Sequence, residues 1–94
     1  MQNYEIIVWI DNAREFSQVT NKDTAALTFA RRVHEYMVFR RDFHDAEFDH
    51  SSHFITFANR RVSVMMLGVI TQEMYDNTRK EVKHILRDQL PPIV

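Results

Sequence analysis

Cysteine is absent from the chain. Disulfides, thiolate-held zinc and a cysteine nucleophile are excluded in one step. Glycine occurs once, at Gly68, and proline twice, at Pro91 and Pro92. A lone glycine cannot build a phosphate-cradling loop or a dinucleotide-binding turn, which need several glycines at fixed spacing. It also leaves few positive-φ turns, so the connections are expected to be short or to rely on Asn and Asp. No apolar run approaches the roughly 20 residues that span a bilayer. The opening Met-Gln-Asn-Tyr-Glu has no basic stretch followed by an apolar one, so no secretory signal is expected. Charge of one sign is lacking as well. Twelve Lys and Arg stand against 13 Asp and Glu, a net charge of −1, which argues against a general polyanion binder and an acidic nucleic-acid mimic. A cytoplasmic protein with no membrane association fits these absences.

The chain has 94 residues, 45% of them hydrophobic. That is too apolar for disorder and too short for two cores, so residues 1–94 are expected to form one domain. Residues 4–10, Tyr-Glu-Ile-Ile-Val-Trp-Ile, read as a strand. Tyr4, Ile6, Val8 and Ile10 share one face at period two, and Glu5, Ile7, Trp9 and Asp11 share the other. Residues 11–21 fit either a short strand near Phe16 to Val19 or a helical turn.

Thr20 and Asp23 have capping-box spacing and open a helix expected to reach about Arg40. Ala26, Phe29, Val33, Tyr36 and Met37 form its apolar stripe, widened by Leu27 and Ala30. Residues 41–52 read as a polar connection. A hairpin follows, with His53 to Phe57 as one strand, Ala58-Asn59-Arg60 as the turn and Arg61 to Leu67 as the second strand. Thr71 is placed to cap a last helix over 72–89, which carries Met74 or Tyr75, Val82, Ile85 and Leu86 on its apolar side and stops at the two prolines. The expected fold is α+β: a small antiparallel sheet of three to four strands with two helices packed on one face.

Three of the five histidines, His44, His50 and His53, fall between Asp42 and Phe57, interleaved with Asp45, Glu47 and Asp49. Imidazole and carboxylate together suit a divalent metal, with Asp49 as the oxygen donor, but spacings of six and three match no established ligand pattern. A carboxylate beside a histidine also serves acid–base chemistry, because it orients the ring and raises its basicity. Arginine occurs in three adjacent pairs, Arg31-Arg32, Arg40-Arg41 and Arg60-Arg61. Arg79, Lys83 and Arg87 lie four apart on the last helix and, with Arg60 and Arg61, offer a basic surface that could meet phosphates. Glu81 and Asp88 sit on the same helix and the net charge is slightly negative, so the basic face reads as solvated surface, and nucleic acid is not the expected partner.

In outline the layout resembles the pterin-4a-carbinolamine dehydratases, small oligomeric α+β enzymes. The similarity runs through Arg14-Glu15-Phe16, Ala25-Ala26-Leu27-Thr28-Phe29 at the start of the first helix, Phe48-Asp49-His50, the hairpin from Phe54 to Val64 and the last helix begun at Thr71. That family's paired histidines followed by proline are replaced here by Asp49-His50-Ser51 or His50-Ser51-Ser52, and its later histidine is Leu or Gly. Only His50 carries over. The resemblance implies an acid/base role for His50, oriented by Asp45 or Asp49.

The second face of the sheet is apolar, with Trp9, Met65 and Leu67, and two helices on the other side leave nothing to cover it. The expectation is therefore a small binding protein without a cofactor or a catalytic set. It would act through protein–protein contact as an adaptor or inhibitor, or pair with itself as a homo-oligomer, with Trp9 as the anchor. Its short length and low glycine and proline counts would suit a phage- or mobile-element-type regulator.

Overall fold

The computed structural model describes residues 3–37 and 46–89, with side chains in the last helix described as far as Ile85. The elements run β1 (Asn3–Ile10), β2 (Ala13–Asn21), α1 (Lys22–Tyr36), β3 (Glu47–His50), β4 (Phe54–Ala58), β5 (Val62–Leu67) and α2 (Gln72–Gln89). The five strands make one antiparallel sheet in the order β2-β1-β5-β4-β3. The class is α+β as the pattern implied, but with five strands rather than three to four. The strand left open at residues 11–21 is β2, the unexpected fifth is β3, and these two are the sheet's edges.

The scarcity of glycine is met as expected at the first hairpin. Ile10 pairs with Ala13, and the two residues between them, Asp11 and Asn12, have φ of 50° and 68°. Two positive-φ residues in a two-residue loop match the twist of antiparallel strands, and Asn and Asp tolerate that conformation best after glycine. This turn fixes β2, so residues 13–21 are strand throughout. The edge is shifted by a bulge: Val8 faces Phe16, whereas Trp9 faces Arg14.

α1 is capped by Asn21, one residue later than expected, whose side chain accepts from the backbone N–H of Asp23 and of Thr24. Thr20 instead meets Thr24 through their hydroxyls. α1 ends at Tyr36, and the expected continuation from residue 38 lies outside the described residues. Its buried stripe is Ala25, Phe29, Ala30 and Val33, while Leu27, expected inside, is 38% exposed. α2 is capped as expected, with the Thr71 hydroxyl accepting from Met74 N–H at 3.1 Å. Thr78 is wholly buried on this helix and keeps its hydroxyl satisfied by donating to the Met74 carbonyl at 2.7 Å.

Strand parity and register place the core. Phe16, Val8, Val64, Phe57 and Phe48 form one row across the sheet, and Gln18, Ile6, Met66, Ile55 and His50 the next. These rows pack against Phe29, Ala30 and Val33 of α1 and Met74, Val82 and Ile85 of α2. Both helices therefore lie on one face. Tyr4 closes the end of the core, its hydroxyl donating to the Val69 carbonyl at 2.9 Å. No helix among the described residues is long and apolar enough to cross a membrane.

Candidate functional site

The face of the sheet opposite the helices is built by the alternate residues of the same strands. Register sets three rows on it: Arg14, Trp9, Ser63, Ala58 and Glu47; Ser17, Ile7, Met65, Thr56 and Asp49; Val19, Glu5, Leu67 and Phe54. No element among the described residues lies over them. The centre is apolar, with Ile7, Trp9, Met65, Leu67, Phe54 and Ala58. Ile7 is only 2% exposed, the one buried residue among those described on this face. Val19, beside the β2 edge, is 64% exposed.

Trp9, Met65 and Leu67, singled out from sequence periodicity, thus share one surface. Phe54, Ala58, Arg14 and Glu47 join them only through the register, which the sequence does not display. The rim carries charge of opposite sign at opposite edges. On β2, the Arg14 guanidinium sits 5.7 Å from the Trp9 ring centroid, within cation–π range. On β3, Glu47 and Asp49 are exposed. None of the three is in an ion pair among the described residues. Glu5 differs, because its carboxylate accepts from the Ser17 hydroxyl at 3.0 Å.

Only part of the histidine-rich segment is described. His44 and Asp45 lie outside the described residues. The expected polar connection contains a strand, Glu47–His50, and strand parity sends Asp49 to the open face and His50 to the helix face. Asp49 therefore does not orient His50. The His50 ring stacks on Tyr75 of α2, with centroids 3.9 Å apart and 15° between planes. Tyr75 meets Phe48 edge-on at 6.4 Å, and Phe48 meets Phe57 at 4.6 Å. His53 occupies the bend before β4, where its carbonyl accepts from Gly68 N–H at 3.0 Å. Among the described residues no three His, Asp or Glu side chains converge on a point that could hold a metal.

The basic residues are dispersed too. The Arg61 guanidinium forms a two-pronged pair with Asp11, 3.1 and 3.0 Å, which holds the Asp11 carboxyl below the usual carboxylate range. Arg60 is exposed on the same turn. The Arg79 guanidinium lies 5.7 Å from the Phe48 ring and 5.8 Å from Tyr75, so it caps the aromatic cluster. Lys83 is exposed on a surface of α2 shared with Asp76, Lys80, Glu81 and His84. The Arg87 side chain is outside the described residues.

Comparison of the chain with family models, with curated proteins and with solved structures finds no match.

Proposed function

We propose that the chain is a small binding protein that acts through protein–protein contact on the open face of its sheet, as an adaptor or inhibitor. The observation that carries this reading is the one-sided fold. Both helices cover one face, and Trp9, Met65, Leu67, Phe54 and Ile7 form an apolar surface on the other with charged residues around it. Apolar centres rimmed by polar groups mark interaction surfaces. Trp9 is the anchor, since a large rigid side chain brings much contact area at small entropic cost. Strand parity sets Asp49 and His50 on opposite faces, so Asp49 lends no support to an acid–base pair; Asp45, the other candidate partner of His50, lies outside the described residues.

A photo-crosslinking amino acid at position 65 tests the reading in cells that make the protein. Capture of a protein, whether another chain or a second copy, is expected from Met65, and none from Lys80 on the outer surface of α2. Crosslinks from position 80 with none from position 65 would overturn it.

A further inference from the structure

We infer that the occupant of the open face is a second copy of this chain, packed face to face about a two-fold axis that runs along β5. The inference rests on the contact reading of the same surface and specifies its partner and register.

A two-fold axis in the interface, parallel to the strands, lays each residue of a row over its mirror position in that row, and the central strand over itself. A charge on the axis would meet its own copy. On its open face β5 carries Ser63, Met65 and Leu67, none of them charged. Away from the axis, β2 of one copy lies over β3 of the other. In the first row Arg14 then faces Glu47 of the second copy, and the exchange occurs twice. These are rim charges with no ion-pair partner among the described residues. In the same row Trp9 falls over Ala58, so the largest side chain of the face meets one of the smallest. Met65 and Leu67 each pack against their own copies. Sheets stacked this way lie about 10 Å apart, a gap that Arg14 and Glu47 can bridge from opposite sides. Rotating the second copy by half a turn about the sheet normal would instead lay each strand over itself, setting Arg14 against Arg14 and Glu47 against Glu47, or Trp9 against Glu5 and Asp49 against Asp49.

The face spans roughly 19 Å across its strands and 13 Å along its three rows, from about 4.8 Å between strands and 3.3 Å per residue. That is the size of weak, transient contacts, where micromolar affinities are expected.

Sedimentation velocity over a concentration series reads the assembly, and the chain's single tryptophan reports on the face directly by its emission. The wild type is expected to dimerise with a blue shift of Trp9 emission. Arg14→Glu and Glu47→Arg should each weaken dimerisation by about tenfold, and the double variant should recover most of the loss, because it rebuilds the pair with its signs exchanged. Both positions are exposed, so neither change threatens the fold; circular dichroism checks this. A wild-type dimer indifferent to both single changes, or a double variant no better than either, would overturn the register. A monomer at 100-fold above the expected micromolar range would overturn self-docking. If Met65 then still crosslinks to a different protein, the contact reading stands without it; if it captures nothing, both fall.

Discussion

Gly68 is the chain's one glycine, and its place is dictated by a single neighbour. Its φ is 156°, and a Cβ added there would stand 2.8 Å from Tyr4 Cε1 and closer still to Cδ1. Tyr4 is itself held, 1% exposed with its hydroxyl on the Val69 carbonyl. The ring cannot retreat without losing that bond, so Gly68→Ala is expected to destabilise the fold by roughly 3 kcal/mol, combining backbone strain with overpacking. Chemical denaturation measures it. Tyr4→Phe in the Gly68→Ala background tests the cause: with the hydroxyl anchor gone the ring can shift, and the combined cost should be less than the sum of the two single costs. A second residue-scale case is Arg32. Its guanidinium lies 3.9 Å from the Phe16 ring and donates to Gln18 at 3.3 Å, tying α1 to the edge strand β2, while its buried Nε–H has no acceptor among the described residues.

Among the elements, the central strands and both helices are legible in the sequence; of the two edges, β2 is one of two open readings and β3 reads as loop. β1 and β5 alternate cleanly because one face is buried under helices. β2 defeats that pattern: Phe16 points to the helices and Val19 to the open face, so its two large apolar residues are out of phase. β3 is only four residues, Glu-Phe-Asp-His, and three of them are polar. Such composition is usual for an edge, where charge discourages further pairing, yet it reads as loop when the sheet is unknown. The start of α1 was misplaced by one residue because Thr20 and Asn21 both have capping side chains; the backbone N–H groups of Asp23 and Thr24 choose Asn21. Asn21→Ala should therefore cost about 1 kcal/mol in urea denaturation, and Asn21→Ser much less. Thr20→Ala should cost little by comparison, although both changes fall at the same helix end. The candidate surface was legible in part for a similar reason. Period two put Trp9, Met65 and Leu67 on one side, but its charged rim depends on pairings between strands far apart in sequence.

On the scale of the whole molecule, Asp11 and Arg61 fasten the β1–β2 turn to the β4–β5 turn. The backbone shares the task, with Asp11 N–H donating to the Arg61 carbonyl at 2.9 Å. Hydrogen bonding to Arg61 comes first in lowering the Asp11 pKa, with its positive charge adding to the effect. The folded chain thus binds a proton at Asp11 less readily than the unfolded chain. Whatever stability the pair contributes is present above the ordinary Asp range and is lost as pH falls through the lowered value. The pair is exposed on both sides, so the contribution is small and weakened by salt. NMR titration of the Asp11 carboxyl carbon should give a midpoint below that of an ordinary Asp. Arg61→Ala should return it to the ordinary range, and a midpoint unmoved by that change would show that the pair does not persist in solution.

The strand order has a consequence for how the chain comes to be folded. β1 lies between β2, its immediate successor, and β5, whose far end brings Val69 to Tyr4 across 65 residues of sequence. The first hairpin can close as soon as it leaves the ribosome, but Ile6 and Val8 have only polar or half-exposed neighbours until β5 and both helices arrive. Closing a loop of that length precedes most of the hydrophobic gain, which slows folding. A chain interrupted anywhere before residue 67 would leave the apolar residues of β1 bare on its unpaired side, free to join the strand of another molecule. The β1–β5 seam, the pairing most distant in sequence, is therefore expected to zip last and to be the part through which incomplete chains aggregate.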